Sequence, residues 1–271
     1  RIGGNLGIGV DPAYDPARRP PEADDRVTYL PEFYGERHVG LEADFVCCRH
    51  TLEHIDRTAD FLGLVRRSIG DREATLFLEV PDVDRVLDDL AFWDVYYEHC
   101  SYFNSTSLTR LLQATGFEVL ECWREYGDQY LMVVARSTRL APACPATGDV
   151  AATERRVDRF EAHIGPALED WDSLLRSSGE EGRRTILWGS GSKAVAFLTT
   201  LGLNGEVEAL VDVNPHRHGR FVPGTAHAIV SPDSLSLIEP DTVVVMNRVY
   251  REEISAQLAK MGLEPELVAL P

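Results

Sequence analysis

Short apolar runs alternate with helical stretches in two successive series along this chain, and that alternation constrains the fold more than any other feature. In the first series LGIGVD (6–11), RVTYL, ADFVCC (43–48) and ATLFLEVP (74–81) read as buried strands, bounded by loop residues such as DPAYDPARRPPEADD. TADFLGLVRRSI (58–69) carries apolar residues at helical spacing and closes on Arg66, Arg67 and Gly70, the signals of a helix C-terminus. NSTSLTRLLQATGFEVLECW predicts a capped helix, a stop at Gly116 and a strand, and QYLMVVAR (129–136) a last strand reached through REYGD. Strands alternating with helices imply a parallel sheet, to which the final hairpin adds an antiparallel edge.

STRLAPACPATGD (137–149) reads as a linker by its prolines and small residues, and VAATERRVDRFEAHIGPALEDWDSLLRS as helix with a break near Gly165. After Gly182 the second series begins: strand RTILWG, helix KAVAFLTTLG, strands VEALVDVN and DTVVVMN, and helix REEISAQLAKMG. The expected organisation is a first α/β domain over 1–137, a linker and helical segment over 138–182, and a second α/β domain over 183–271.

A chain of 271 residues is long enough to bury two cores. Its 44% hydrophobic and 26% charged residues are those of a globular protein. The apolar runs are too short to span a membrane, so no membrane partner is expected. Twenty-seven basic against 44 acidic residues leave a net charge of −17, which repels phosphate backbones and argues against nucleic acid as a partner. The five cysteines, Cys47, Cys48, Cys100, Cys122 and Cys144, show no C-x-x-C spacing and read as reduced cytoplasmic thiols.

Four motifs carry the chemistry. Asp11 ends the first strand, where a carboxylate either accepts the ribose hydroxyls of a nucleoside cofactor or caps the loop before Pro12. RHTLEH (49–54) matches H-x-x-E-H, which on a helix holds zinc beside a glutamate base. His50, however, follows a strand directly, which puts the motif in a loop; no metal is expected, and these groups line a ligand crevice instead. GSGSKA (189–194), with Asp212 closing the next strand, satisfies G-x-G-x-x-A: Gly189 and Gly191 admit a phosphate to a helix N-terminus, or serve only the tight turn. The basic loop VNPHRHGRFVPG (213–224) either contacts a diphosphate or is solvated. A fifth segment is harder to place. WDVYYEHCSYFN (93–104) sets Trp93, Tyr96, Tyr97 and Tyr102 around Glu98 and His99 with no helical or strand period, unlike a core segment or a plain loop.

DFVCCRHTLEHI, VYYEHCSYFNSTSLTRLLQATGFEV and YGDQYL, in that order, resemble the S-adenosylmethionine-dependent C-methyltransferases of deoxysugar biosynthesis. GSGSKAVAFLTTLG, VDVNPHRHGRFVPG and MNRVYREEI resemble the C-terminal domain of the same family, so the resemblance covers essentially the whole chain. It implies a class I methyltransferase-like Rossmann domain followed by a second Rossmann-like α/β domain. That family usually opens with a cysteine-rich zinc module and a glycine-rich loop after its first strand. Neither stands in this sequence, and residue 1 falls where the second strand is about to begin, so the first domain is expected to be incomplete at its N-terminus. The family's G-G-E segment reads here as Gly127, Asp128 and Gln129.

Carried over residue by residue, the family's catalytic group falls on His54, Tyr96, Glu98 and His99. Methylating carbon needs a base within reach of a C–H beside a carbonyl. His99 is the expected base, with Glu98 orienting or replacing it, and Tyr96 or His54 as donor to the enolate oxygen. The cofactor S-adenosylmethionine is expected near Asp11, Pro12, Cys48, Arg49 and His50. The acceptor, a nucleotide-linked keto-sugar or similar small carbonyl compound, is expected near Gly189, Gly191, Lys193, Asp212 and Asn247. Two other readings compete: an oxidoreductase holding NAD at the second glycine loop, and a non-catalytic nucleotide-binding fragment.

Overall fold

The computed structural model describes residues 4–18, 26–138, 150–203 and 205–271. Most of the linker 137–149, with Cys144, lies outside the described residues. The first domain contains β1 (Gly7–Val10), β2 (Val27–Leu30), β3 (Phe45–Arg49), α1 (Thr58–Ile69), β4 (Thr75–Pro81), α2 (Val83–Asp88), α3 (Ser105–Ala114), β5 (Phe117–Glu125) and β6 (Tyr130–Ser137). β1 and β2 pair in parallel as a two-stranded sheet. A separate four-stranded sheet has the order β3-β4-β6-β5, with β3 parallel to β4 and the β5–β6 hairpin antiparallel. β4 lies inside this sheet, and its Leu76, Leu78 and Val80 have no solvent exposure. Among the described residues one edge of β1 and one edge of β3 have no hydrogen-bonded strand. There Ile8 is 50% and Phe45 58% exposed.

Local chemistry sets the ends of these elements. α1 turns Leu62, Leu64, Val65 and Ile69 inward, while Arg66 donates to the carbonyls of Gly70 and Gly116 and so ties the helix end to the turn before β5. α3 begins at Asn104, whose side chain accepts from the Ser107 N–H while the Ser107 hydroxyl accepts from the Asn104 N–H.

The second domain is the better closed of the two. β7 (Thr185–Trp188), β8 (Ala209–Val211), β9 (Ile229–Val230), β10 (Thr242–Val245) and β11 (Glu266–Ala269) form one parallel sheet in the order β9-β8-β7-β10-β11. α5 (Ser192–Leu201), α6 (Leu235–Ile238) and α7 (Arg251–Lys260) complete it. The order reverses between β7 and β10, the switch point at which doubly wound sheets open a crevice. Gly189 stands there with φ +116°, and a Cβ would lie 3.2 Å from Met246 Cβ, so the turn requires glycine.

α4 (Val150–Glu180) joins the domains as one unbroken helix with Pro166 inside it. The expected break near Gly165 is absent because Ile164, Leu168, Trp171 and Leu175, at helical spacing, all pack on the core of the second domain. That apolar face offsets the hydrogen bond that proline removes. The same core receives part of the first domain: Val86, Ala91, Phe92 and Trp93 are buried in it. Phe92 stacks on Phe197 at 5.6 Å, and Trp93 meets Trp171 edge-on at 6.4 Å. Arg156 donates to Asp88 on α2 and reinforces the join.

Trp93 is 1% exposed, whereas Tyr97, four residues on, is fully exposed. Trp93→Ala should therefore cost about 3–5 kcal/mol in denaturant unfolding, and Tyr97→Ala no more than about 0.5 kcal/mol. Hydrogen exchange at residues 94–100 should rise in the first variant and stay unchanged in the second, because only Trp93 anchors that segment.

Candidate active site

A cleft of about 750 Å³ opens between the two domains. Its volume falls within the range of small-molecule sites. The first domain contributes His50, Glu53, His54, Asp94, Tyr96, Glu98, His99, Gln129 and Tyr130; the second contributes the carboxyl ends of β7 and β10 and the start of α5. The aromatic segment 93–104 divides its rings among different tasks. Trp93 anchors in the core, Tyr96 lines the cleft, Tyr102 packs on His99 and Tyr97 points into solvent. The four rings do not share one pocket, because the short 3₁₀ turn at Phe92–Asp94 commits Trp93 to the core.

His54, Tyr96, Glu98 and His99 all line the cleft. The His99 ring sits edge-on to Tyr96 at 4.6 Å and to His54 at 4.9 Å. Burial pushes the His99 imidazole below its usual pKa, favouring the neutral ring that a base requires. Its Nδ1 is buried without a hydrogen bond among the described residues. His54 Nδ1 lies 3.1 Å from the Glu98 backbone carbonyl; because a carbonyl only accepts, Nδ1 carries the hydrogen and Nε2 is left with a lone pair. Glu98 offers its carbonyl to His54, while its exposed carboxylate makes no hydrogen bond among the described residues; it does not orient His99. The Tyr96 hydroxyl donates to Asp94 at 2.8 Å, so its proton is already committed. Burial, and then Asp94, raise its pKa far above the usual value.

Three further cleft residues carry this arrangement, of which Asp94 and Tyr130 went unread in the sequence and Glu53 was expected at a ligand crevice as the glutamate of H-x-x-E-H. Glu53 is 2% exposed, with Oε2 unpartnered. Asp94 accepts from Tyr96, Arg85 and Lys193 and so ties the two domains. Tyr130 faces the cleft with no hydrogen-bond partner for its hydroxyl among the described residues, its pKa pushed by burial up to about 12. A signal existed for Glu53, which lies inside H-x-x-E-H; the other two are ordinary residues of their turn and strand.

H-x-x-E-H does not form a helix. His50 takes φ +47° after β3, and Leu52–His54 is a single 3₁₀ turn. His50 Nε2 turns to Glu79 at 3.0 Å, and His54 turns to the loop at Glu98. Of the five residues expected to hold the cofactor, only His50 lines the cleft. Asp11 is exposed, and its Oδ1 accepts from the Ala13 N–H at 2.8 Å, which caps the loop after Pro12. Cys48 packs on the core of the first domain with its thiol pKa pushed by burial up to about 12, and Arg49 pairs with Glu79. The four described cysteines are free thiols, and no described helix is long and apolar enough to cross a membrane.

Gly189, Gly191, Lys193, Asp212 and Asn247 all line the cleft. Lys193 Nζ lies 3.1 Å from Asp94 and 2.6 Å from Gln129 Oε1; burial lowers its pKa, against the pull of Asp94. Asp212 Oδ2 accepts from the Ser190 N–H (3.1 Å), the Ser190 hydroxyl and Arg217 (3.1 Å), and Oδ1 accepts from the Asn214 N–H. His218 Nε2 donates to the Asp212 carbonyl at 2.7 Å. Arg217 and His218 of the basic loop thus turn to Asp212, each of whose carboxylate oxygens accepts within the protein, while His216 and Arg220 stay exposed.

The methyltransferase-domain family matches residues 7–122, and the C-methyltransferase C-terminal-domain family matches residues 148–265. The curated protein C-methyltransferase NovU of Streptomyces niveus is 26% identical over 267 residues, covering 91% of this chain. The chain spans 62% of the length of that relative. Among solved structures, the pyocyanin biosynthetic protein PhzM aligns with a TM-score of 0.34 and 14% identity over 42% of this chain and 36% of its own. Magnesium protoporphyrin IX methyltransferase ChlM from Synechocystis PCC 6803, with bound SAH, aligns with a TM-score of 0.32 and 13% identity over 41% of this chain and 52% of its own.

Asp212 yields a test of the glycine turn. Burial works to raise its pKa, but the Ser190 hydroxyl, the two backbone N–H groups and Arg217 together hold it below the usual carboxylate value. A depressed carboxylate stabilises the fold above its unfolded pKa and loses that contribution as pH falls through the folded one. Asp212→Asn should therefore be less stable than the parent at pH 7. Urea unfolding should show the gap closing as pH falls below the ordinary carboxylate range.

Proposed function

We propose that this chain, whose two halves match the methyltransferase-domain and the C-methyltransferase C-terminal-domain families, is an S-adenosylmethionine-dependent methyltransferase that methylates a carbon beside a carbonyl in a small molecule, a nucleotide-linked keto-sugar or a related compound. The observation that supports this reading is that His99, its pKa lowered by burial, lines a cleft together with His54, Tyr96 and Glu98 on one side and a glycine turn and helix start on the other.

The residues present fit the cofactor in donor type and charge. Asp11 stands at a strand end with Oδ2 uncommitted among the described residues, able to accept a ribose hydroxyl. The free carboxylate of Glu98 offers the cleft a counter-charge for a sulfonium. When bound, S-adenosylmethionine supplies an electrophilic methyl group and takes its C–S electron pair away as a neutral sulfide. The protein's work is the rest. His99 takes the acceptor's α-proton, and the electron pair of that C–H bond passes through the enolate to the new C–C bond. Tyr130, a neutral phenol with its hydroxyl uncommitted, donates to the enolate oxygen; Tyr96, already bound to Asp94, positions the His99 ring. Gly191 and the start of α5, together with Lys193 and Asn247, face the remainder of the acceptor. The NAD alternative is the less supported, because Asp212, the acid of the dinucleotide pattern, already accepts four hydrogen bonds within the protein.

With S-adenosylmethionine and nucleoside-diphosphate keto-sugars as probes, His99→Gln should abolish methyl transfer and solvent-deuterium exchange at the acceptor's α-carbon while keeping cofactor affinity. Tyr130→Phe should slow both reactions by roughly 100-fold, and Tyr96→Phe by less. Exchange that survives His99→Gln and stops in Glu98→Gln would move the base to Glu98.

Calorimetric titration separates the cofactors: S-adenosylmethionine should bind and NAD should not. Asp11→Ala should weaken the former without changing the circular dichroism spectrum, and an unchanged dissociation constant would remove Asp11 from the site.

A further inference from the structure

Glu53 is the feature of this cleft that the reaction above leaves unused. Its side chain is 2% exposed and its Oε2 has no hydrogen-bond partner among the described residues. Oε1 is 3.8 Å from His50 Nδ1, beyond hydrogen-bond reach, and His50 itself turns to Glu79. His50 is thus a long-range ion-pair partner for Oε1 alone; a buried carboxylate oxygen left without a donor is costly, and proteins keep one where a charge or donor arrives to meet it. The atoms around it show where that charge would form. A carboxylate oxygen of Glu53 and ring nitrogens of His54 and His99 all lie within 4.8 Å of one another, and His99 Nδ1 is likewise buried and unpartnered. The backbone fixes this proximity: the Glu53 carbonyl accepts from the N–H groups of Cys100 at 2.8 Å and Ser101 at 3.1 Å, which locks the 3₁₀ turn against the His99 loop.

Resting on the proposed role of His99 as base, we infer that Glu53 is its positioning residue: it holds the His99 ring in place and provides the counter-charge for the imidazolium formed when His99 takes the acceptor's proton. The other groups facing His99 cannot serve in this way. Asp94 is engaged by Arg85 and Lys193, the Glu98 carboxylate is exposed and screened by water, and His54 has no negative charge to offer. Tyr96 and Tyr102 give ring edges only. Because Oε2 of Glu53 is unpartnered while His99 is neutral and is met once His99 is charged, the interaction is gained on proton transfer and not in the ground state, which is the condition for it to accelerate the step. The buried surroundings lower the proton affinity of His99, and Glu53 raises it again.

NMR titration of the ¹⁵N-labelled imidazoles in the full chain, with no acceptor and no methyl donor present, tests this pairing. Since the measurement involves no methyl transfer, a failure of the proposed reaction leaves its outcome untouched. Glu53→Gln, which keeps the volume and removes the charge, should shift the His99 midpoint downward, and Glu53→Asp should bring it back towards the parent value. A purely structural role for Glu53 would leave the midpoint in place in both, and that result would overturn the inference. Should Glu53→Gln not fold, the parent decides alone: the ¹³C carboxyl resonance of Glu53 should step at the His99 midpoint, and the absence of that step would overturn it. Metal analysis of the purified parent is expected to find no stoichiometric divalent ion. One ion per chain, lost in Glu53→Asp, would give Glu53 a different partner and equally overturn the assignment.

Discussion

The burial of Phe92 and Trp93 in the core of the second domain is the constraint on which the site depends. Both rings come from a segment that follows the first domain's α2, yet their partners, Phe197 and Trp171, lie on α5 and α4. Burying two large aromatic side chains there is worth several kcal/mol, and it cannot happen without bringing residues 94–99 to the seam between the domains. Asp94, Tyr96, Glu98 and His99 therefore face the second domain through a packing interaction that none of them makes. A binding cleft at a domain seam is commonly mobile; here the same core extends through both walls.

Polar contacts then set the register of the two walls. Asp94 takes Arg85 and Lys193 together, which offsets the cost of burying either cation alone. Gln129 extends the chain: its Oε1 accepts from Lys193, and its Nε2 donates to the Tyr126 carbonyl at 3.0 Å and to Asn247 Oδ1 at 3.1 Å. Only an amide can do both. A glutamate at 129 would face two acceptors with no proton to give them, so the departure from G-G-E at this position is suited to the bridge it makes. Gly127, at φ +67°, lets that turn approach the second domain: a Cβ would stand 3.0 Å from Val249 Cγ2.

How much of this was legible follows from the range of the forces involved. α1, α3 and the strands of both series other than the edge strands β9 and β11 stood in the sequence because local period, capping at Asn104 and the glycine stops are short-range effects. Continuity through Pro166 was not, since only packing against a distant core keeps α4 whole. Candidate His54, Tyr96, Glu98 and His99 could be carried over by resemblance, but their hydrogen bonds could not. The commitment of Tyr96 to Asp94, the uncommitted hydroxyl of Tyr130 and the unpartnered Oε2 of Glu53 depend on which atoms the fold brings face to face. The surroundings of Asp212 were hidden for the same reason. Its spacing from Gly189 matches a cofactor-binding acid, but the loop that follows folds Arg217 back onto it.

The charge balance of the cleft bears on how the proposed acceptor would be held. The protein carries a net charge of −17, and the cations facing the cleft are largely spoken for: Lys193 and Arg85 by Asp94, and Arg217 by Asp212. A nucleotide-linked acceptor would bring further negative charge into a cleft already holding Glu53, Asp94 and Glu98. Side-chain cations alone are thus a poor source of affinity. The start of α5 is a better one. Gly191, its N-cap, has no side chain to bond the first-turn N–H groups, which face the cleft with the positive end of the helix dipole. Recognition through backbone N–H groups leaves the Asp94 bridge intact, so the acceptor's phosphates and its reacting carbon would be held by opposite walls. That separation suits enolate chemistry: the anion formed near His99 and Tyr130 would then lie apart from the phosphate charges, and its stabilisation would depend on the phenol and on the histidine that carries the proton.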